Sequence, residues 1–273
     1  MDPAWLDDLL AWRQQLDESL SQPFGWLSLI GLHWLRDGPQ RVGRHPACDI
    51  QLDSEQAPAV VGQLSVTVDG VHFQAAAGVK ALLNGHPIEQ AMLSTDSSAE
   101  PSLLQVGSLQ LAIVERERRL GLRVWDRKHP NRLGFPGRQW HPPRPEWRLP
   151  AEFLPAAAGT TIVVPNELGT PTADPLAGRL RFSWDGQSFD LAAIDRDRLW
   201  FAPFADASNG AETYGAGRFL YVEPADGPGV SIDFNYAYNP PCAFTSYATC
   251  PLPPAGNRLP IAVDAGELKA SSA

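Results

Sequence analysis

The sequence contains few of the residues on which disulfide-stabilised and metal-binding proteins depend. It has three cysteines among 273 residues, and all six histidines lie at or before position 141. Three cysteines are too few, and odd in number, for a secreted disulfide framework. The sequence also lacks the Gly-x-Ser-x-Gly, His-Glu-x-x-His, Walker and kinase motifs, which argues against several common hydrolytic and nucleotide-driven mechanisms. We therefore expect no cofactor and no bound metal.

Long apolar runs are absent as well. The N-terminal MDPAWLDDLLAWRQQLDESL is acidic, and no segment reaches eighteen apolar residues, so neither a signal peptide nor a transmembrane helix is predicted. The formal net charge of −9 argues against general binding to nucleic acid or to an anionic membrane, because both need a basic surface. These features predict a soluble protein of the cytoplasm.

The remaining composition, 44% hydrophobic and 19% charged, is that of a globular protein. Asp2 and Pro3 form a helix start, and apolar residues then recur at helical spacing up to Leu20. Beyond Pro23 the chain shows short strand patterns separated by turns, including Asp185-Gly186, without helices between them. This spacing predicts a mainly β protein with an N-terminal helix and a β-sandwich.

The segment from 126 to 150 has a different composition from its surroundings. It holds six prolines, which exclude a continuous helix or a central strand, and it lies in a basic region with ten Lys/Arg and four Asp/Glu between 115 and 148. We interpret it as a packed connection. The predicted organisation, written as residue ranges, is a helix at 1–24, a β-sandwich at 25–125, the basic connection at 126–150 and a C-terminal β unit at 151–273.

The stretch Trp200–Glu267 is the strongest candidate for a functional site, since it is long, loop-rich, aromatic and polar. Asp233 and Glu212 are the candidate catalytic acids or bases. The candidate ligand-binding residues in this stretch are Tyr214, Arg218, Asn235, Tyr238 and Asn239. A structural alternative stays open: Arg218 and Asp233 form an ion pair across neighbouring strands, and the Asn residues satisfy the backbone of a proline-rich coil.

Cys242 and Cys250 lie eight residues apart in CAFTSYATC. Four interpretations apply: buried packing thiols, a redox-sensitive pair, a nucleophile, or a metal site. The nucleophile needs a base from elsewhere, and a zinc site normally needs four ligands.

The long motif DFNYAYNPPCAFTSYATCPLPPAGNRLPIAVDAGE, with TYGAGRFL before it and GWLSLIGLHWL near the start, resembles a family of bacterial and archaeal proteins known as a domain of unknown function. The resemblance implies family membership and no particular reaction. The motif falls on Tyr214, Gly217, Arg218, Asp233, Asn235, Asn239, Pro240, Pro241, Cys242, Cys250, Pro251, Pro253, Asn257 and Glu267.

A second resemblance covers residues 40–115. QRVGRHPACDIQL followed by LLNGHPI is similar to the forkhead-associated (FHA) sandwich, with Gly43, Arg44 and Asn84 at matching positions. The Ser-x-x-His step of that family is absent, because 53–64 is DSEQAPAVVGQL. The likeness implies an FHA-like β-sandwich, and a phosphate-contacting hydroxyl is missing from it.

Two functions follow as hypotheses. The first is the binding, with or without hydrolysis, of a small polar or anionic molecule in the C-terminal unit. The second is a non-catalytic FHA-like module in which Arg44, Asn84 and the basic connection hold an acidic peptide or protein. The basic segment interleaves aromatic residues in a pattern that also suits single-stranded nucleic acid, which the net charge disfavours. Whether the protein is an enzyme is undecided at this level.

Overall fold

The computed structural model describes residues 2–116, 118–225 and 229–270. Glu18–Pro136 form one compact unit, here called the central unit. The residues on either side of it, Met1–Asp17 and Gly137–Ala273, form a second, here called the terminal unit. The N-terminal helix therefore belongs largely with the C-terminal residues, and the basic connection is divided between the two units at Pro136.

Helix α1 (Pro3–Leu20) occupies the predicted positions. The Asp2 carboxylate accepts a hydrogen bond from the Ala4 amide at 3.1 Å, as expected of a capping residue. Trp5 and Leu9 are buried, so this helix covers apolar surface. Within the described residues, no helix combines the length and apolarity that crossing a bilayer requires.

The central unit contains two sheets. Its strands are β1 (Leu29–Trp34), β2 (Gly38–Gly43), β3 (Ile50–Gln51), β4 (Gly62–Thr67), β5 (Gly70–Ala75), β6 (Ala81–Leu83), β7 (His86–Ile88), β8 (Gln90–Leu93), β9 (Leu104–Val106), β10 (Leu109–Arg116) and β11 (Arg119–Asp126). The six-stranded sheet has the order β1-β11-β10-β9-β6-β7, and the five-stranded sheet has the order β3-β2-β4-β5-β8. Neighbouring strands are antiparallel except β2 and β3. The short helix α2 (Pro130–Leu133) follows them.

One hydrophobic core joins the two sheets. Leu64 and Phe73 from the five-stranded sheet and Leu111 and Val124 from the six-stranded sheet belong to the same buried cluster. Successive side chains of a strand point to opposite faces of the sheet, so only every second one enters such a core. The alternating burial along β5 shows this pattern. Two sheets that share their inner faces make a β-sandwich, as the sequence predicts.

The strands of the terminal unit are β12 (Arg148–Pro155), β13 (Thr161–Val164), β14 (Thr172–Trp184), β15 (Gln187–Arg196), β16 (Leu199–Phe201), β17 (Tyr221–Val222) and β18 (Gly229–Asp233). They form one long sheet with the order β17-β16-β15-β14-β12-β18, and β13 pairs with β14. Asp185 and Gly186, both with positive φ, form the tight turn between β14 and β15.

Beyond β16 most of the described residues form coil, interrupted by β17, β18 and two single-turn 3₁₀-helices, Phe234–Tyr236 and Pro241–Ala243. The Asn257 side chain, fully buried, shows how this coil is fixed. It accepts from the Ala192 amide at 2.7 Å and donates to the carbonyls of Ala192 and Pro203, each at 2.9 Å. Side chains thus supply the hydrogen bonds that a sheet would otherwise give to this backbone.

Candidate functional site

Arg218 lies at the centre of a buried network. Its Nη2 contacts the Asp206 carboxylate at 2.7 Å, with both side chains fully buried. The guanidinium also donates to the carbonyls of Ala265 and Val263. Ser208 completes the network by donating its amide to Asp206 at 2.8 Å. Arg218 therefore joins separate coil segments, and it does not open onto the cleft described below.

Glu267 and Asn239 form a second buried network. One Glu267 oxygen accepts from Arg138 Nη1 at 2.6 Å and from the Asn239 amide at 2.8 Å. The Asn239 side chain donates to the Leu268 carbonyl at 2.7 Å. Burial raises the pKa of Glu267 to about 7, against the opposing effect of Arg138. Asn239 thus fixes the backbone at Leu268.

Asp233 ends β18 and holds four groups. One carboxylate oxygen accepts from the amide and the side chain of Asn235, at 3.0 and 2.8 Å. The other accepts from Trp5 Nε1 at 2.7 Å and lies 3.3 Å from Arg148 Nε. The ion pair between Arg218 and Asp233 that the sequence suggested is not formed, because Arg218 pairs with Asp206 and Asp233 with Arg148.

A cleft of about 610 Å³, here called the aromatic cleft, opens beside Asp233 in the terminal unit. Its size is in the range of small-molecule pockets. Trp12 makes edge contacts with Tyr236 and Tyr238, with ring centroids 4.8 and 5.9 Å apart. The aromatic lining residues are Trp5, Trp12, Tyr221, Tyr236 and Tyr238.

The charged and hydroxyl groups of the aromatic cleft are few: Arg148, Asp233, Glu223, Ser231 and the tyrosines. Arg148 Cζ lies 4.9 Å from the centroid of the Trp5 ring, and its side chain is 39% exposed. Its Nε is engaged by Asp233, whereas its two terminal nitrogens have no hydrogen-bond partner in the described part of the chain. A guanidinium fixed in this way presents a free donor pair.

Burial raises the pKa of both Tyr236 and Tyr238. Their hydroxyls therefore stay protonated near neutral pH, as hydrogen-bond donors that are also weak acceptors. Neither phenol is suited to act as a base at that pH.

Of the site residues expected from the sequence, the structure brings only Asp233 and Tyr238 into the lining of this cleft. Asn235 does not line the cleft, but it donates hydrogen bonds to Asp233, which does. Glu212 is exposed. Burial, with a smaller contribution from the nearby Cys242, raises the pKa of Tyr214 to about 12. The remaining candidates of the terminal unit, Arg218 and Asn239, belong to the two buried networks.

Among the cleft residues that were not proposed as site residues from the sequence are Trp5, Trp12 and Arg148. Trp5 was placed on the apolar face of a helix and Arg148 in the basic connection, and Trp12 was not singled out. The available signal was the pair of tryptophans seven positions apart, which places both rings on one helical face. Nothing local in the sequence indicates that this face meets Tyr236 and Tyr238.

In the central unit, Arg44 and Asn84 are both exposed. Arg44 Nε donates to the Ala57 carbonyl at 3.3 Å. The Asn84 side chain accepts from the Leu103 amide at 2.8 Å and donates to the Pro101 carbonyl at 3.4 Å, so it fastens its own loop to the neighbouring one. Among the described residues, no group of three or more His, Cys, Asp and Glu side chains is arranged to hold a metal ion.

These features define a mainly β protein with an N-terminal helix, a β-sandwich and a second β unit that carries an aromatic cleft. Residues 133–268 match the family described as "Protein of unknown function (DUF1684)". Through this region the chain belongs to that family, which confirms the expected membership of a domain-of-unknown-function family. The matched residues include the cleft residues Arg148, Tyr221, Asp233, Tyr236 and Tyr238 and exclude helix α1.

Three solved structures illustrate the likenesses found. An uncharacterized protein of Haloarcula marismortui is 34% identical, covers 50% of this chain and 79% of its own, and has a TM-score of 0.43. The FHA-2 domain of a Mycobacterium tuberculosis ABC transporter is 21% identical over 33% of this chain and 77% of its own, with a TM-score of 0.26. A domain from a study of phosphothreonine-dependent FHA interactions is 11% identical over 36% of this chain and 95% of its own, with a TM-score of 0.25. A comparison with curated proteins finds no match.

Proposed function

We propose that the aromatic cleft binds a small molecule with an anionic group, such as a carboxylate, attached to a flat apolar body. The observation that carries this proposal is the way in which the Arg148 guanidinium is held in the cleft. Its Nε is held by Asp233 and its plane lies against Trp5, while its terminal nitrogens remain available in a cleft with aromatic walls. Such a fork matches the two oxygens of a carboxylate or phosphate.

The aromatic residues of the cleft contact the flat apolar body of the ligand. Tryptophan and tyrosine rings bury a large apolar area with little loss of side-chain freedom, and they stack well against a planar ligand. The protonated hydroxyls of Tyr236 and Tyr238 add donors, which again suits an acceptor-rich ligand. An apolar body with one anionic end satisfies both halves of the cleft.

Binding has more support than hydrolysis. Both oxygens of Asp233 already contact two donors each, so the carboxylate would have to give up one of them to take a proton from a substrate. Among the described residues that line the cleft there is no histidine or cysteine to act as base or nucleophile. We therefore assign Asp233 the role of orienting Arg148 and Trp5.

The alternative function, an acidic partner held by Arg44 and Asn84, has less support. The amide group of Asn84 is occupied at both of its ends by Leu103 and Pro101. Arg44 keeps terminal nitrogens for a partner, but one exposed arginine is common on protein surfaces.

A thermal-shift screen tests the proposal with paired probes, namely aromatic carboxylates such as benzoate and indole-3-acetate and their uncharged amides. A ligand at about 100 times its Kd stabilises the folded state by about 2.7 kcal/mol. We expect carboxylates to raise the melting temperature of the wild type and of Arg181→Gln, and to lose that effect in Arg148→Gln. Arg181 is a suitable control because it is 47% exposed and pairs with Asp190 on the same sheet, outside the aromatic cleft.

The tryptophans give a second, independent measurement. Because Trp5 and Trp12 line the cleft, a bound aromatic carboxylate should change their fluorescence in the wild type. Stabilisation that is equal in Arg148→Gln and wild type, or equal for carboxylates and amides, would remove Arg148 from ligand recognition and contradict the proposal.

A further inference from the structure

Two cysteines of the terminal unit lie against each other across a short loop. Cys242 belongs to the 3₁₀-helix Pro241–Ala243, and Cys250 follows the loop AFTSYAT. The Cys242 amide donates to Cys250 Sγ at 3.2 Å, and the Cys250 amide donates to Cys242 Sγ at 3.4 Å. The two thiols are also within hydrogen-bonding distance of each other. Both are in the reduced form.

This reciprocal arrangement is close to what a disulfide needs. A disulfide forms when two cysteine backbones lie side by side, with Cα atoms about 4.4–6.8 Å apart and Cβ atoms directed toward each other. Each sulfur here already reaches the backbone nitrogen of the other residue, so the two side chains point inward across the same narrow gap. Closing a bond between the sulfurs requires side-chain rotation and little movement of the backbone.

The backbone at both ends of the loop is held in place. The Cys250 carbonyl accepts from the Glu167 amide at 3.2 Å, and the Leu252 amide donates to the Pro165 carbonyl at 2.7 Å. On the other side, the Ala243 amide donates to the Pro240 carbonyl at 2.9 Å. The two cysteines are therefore kept adjacent by the fold and do not depend on chance encounters of a mobile loop.

The two thiols differ in reactivity. The hydrogen bond from the Cys250 thiol lowers the pKa of Cys242, because donors to a sulfur favour its thiolate form. The same contact, together with burial, raises the pKa of Cys250. Cys242 is half-buried, whereas Cys250 is 5% exposed. Cys242 is thus the thiol that a small oxidant reaches as thiolate.

We propose that Cys242 and Cys250 are a redox modification site, which a hydroperoxide converts reversibly into a disulfide. The Cys242 thiolate attacks one peroxide oxygen, the O–O bond breaks, and the products are a sulfenic acid on Cys242 and, for hydrogen peroxide, water after protonation. The Cys250 sulfur then attacks Cys242 Sγ, the S–O bond breaks, and the hydroxide leaves as a second water with the Cys250 proton. The two sulfurs together lose two electrons, which the peroxide gains.

Other uses of the pair have less support. Two thiols do not complete the usual four-ligand zinc site, and the described residues contain no group of three metal-ligating side chains. Plain packing thiols need not face each other. Cys48 of the central unit shows the difference, since its thiol donates to the Ala59 carbonyl at 3.5 Å and no second cysteine accompanies it.

Peptide mapping of the folded wild-type protein after exposure to hydrogen peroxide tests the proposal. We expect the three free thiols to fall to one, and the linked peptides to join Cys242 to Cys250 with the loss of two hydrogen atoms. A dithiol reductant should restore all three thiols, and Cys48→Ser should behave as the wild type does. The proposal is overturned if all three thiols survive, or if Cys242 proceeds to sulfinic acid without forming the cross-link.

The order of the two steps has its own test. In Cys250→Ser, which lacks the second thiol, peroxide should leave a sulfenic acid on Cys242 that dimedone labels, whereas Cys242→Ser should give several-fold less label on Cys250. Circular dichroism checks that both variants are folded, and if either is not, initial rates of alkylation at the two sites of the wild type replace this comparison. Faster alkylation or stronger labelling of Cys250 would overturn the assignment of Cys242 as the attacking thiol.

Discussion

Arg218→Ala tests whether the buried network of the terminal unit serves stability. The substitution removes the partner of the Asp206 carboxylate, with both side chains fully buried in the wild type. It also leaves the carbonyls of Val263 and Ala265 without the guanidinium donor that they share in the wild type. The alanine side chain has no donor to replace it.

The expected loss is large. Breaking a buried ion pair by removing one partner costs about 3–5 kcal/mol, because the other charge stays buried. A domain of ordinary stability has about 5–15 kcal/mol in total. With a urea dependence of about 2 kcal/mol per molar, the unfolding midpoint of the terminal unit should fall by about 2 M.

Urea unfolding followed by tryptophan fluorescence and circular dichroism measures this change. Arg181→Ala is the matched control, since Arg181 pairs with Asp190 at 2.9 Å while its side chain remains 47% exposed. Because solvent screens an exposed pair, the control midpoint should move by less than about 0.5 M. Arg218→Lys should be destabilised too, because one ammonium cannot reproduce the three contacts of the fork.

A midpoint for Arg218→Ala within the range of the Arg181→Ala control would refute this reasoning. Arg218 would then be free to serve the anion-binding role that its residue type suggests in the sequence. A variant that fails to fold, shown by loss of its circular dichroism, agrees with the prediction.

Two further predictions concern stability. Burial raises the pKa of Glu267 from 4.5 to about 7, so the folded state binds the proton of this carboxyl group more tightly than the unfolded chain does. The protonated carboxyl therefore contributes about 3 kcal/mol to the free energy of unfolding. This contribution is complete below about pH 4.5 and is lost as the pH rises through about 7. Denaturation measured across this pH range should show the loss of stability in the wild type and a weaker dependence of stability on pH in Glu267→Gln. Parallel pH dependences in the two proteins would contradict the prediction. Gly266→Ala should destabilise by several kcal/mol, since φ is +80° and an added Cβ would lie 2.5 Å from the Ala237 carbonyl oxygen. Gly210→Ala, at φ +84° with open space around it, should lose only about 1–2 kcal/mol, and equal losses would show that the close approach is unimportant.

The fold was predictable where the signals are local. The capped helix after Asp2, the tight turn at Asp185 and the succession of short strands all follow from spacing and turn chemistry within a few residues. The packing of the described part of the Trp200–Glu267 stretch was also predictable, because a proline-rich segment with so many aromatic residues has apolar area to bury.

The site was predictable only in part, because its contacts are between distant residues. The Asp, Asn and Arg side chains of the signature were weighed as ligands or as hydrogen-bond partners of the coil, and most of them satisfy backbone groups. Partner choice in a buried pair depends on the path of the coil, which placed Asp206 and not Asp233 against Arg218. The aromatic cleft combines residues near position 5 with residues near position 233, and no short-range pattern connects them.

The insertion of the central unit has a consequence for synthesis. Asp17 and Arg138, on either side of the insertion, are joined by a hydrogen bond of 3.2 Å, yet roughly 120 residues separate them along the chain. At about 5–20 residues per second, a ribosome that has completed α1 needs on the order of ten seconds before it reaches Arg148, the first of the residues that contact Trp5 in the cleft. The central unit can fold during this interval, whereas α1 cannot make its contacts in the terminal unit until the later residues of that unit have been synthesised. Assembly of the aromatic cleft therefore has to follow synthesis of the central unit.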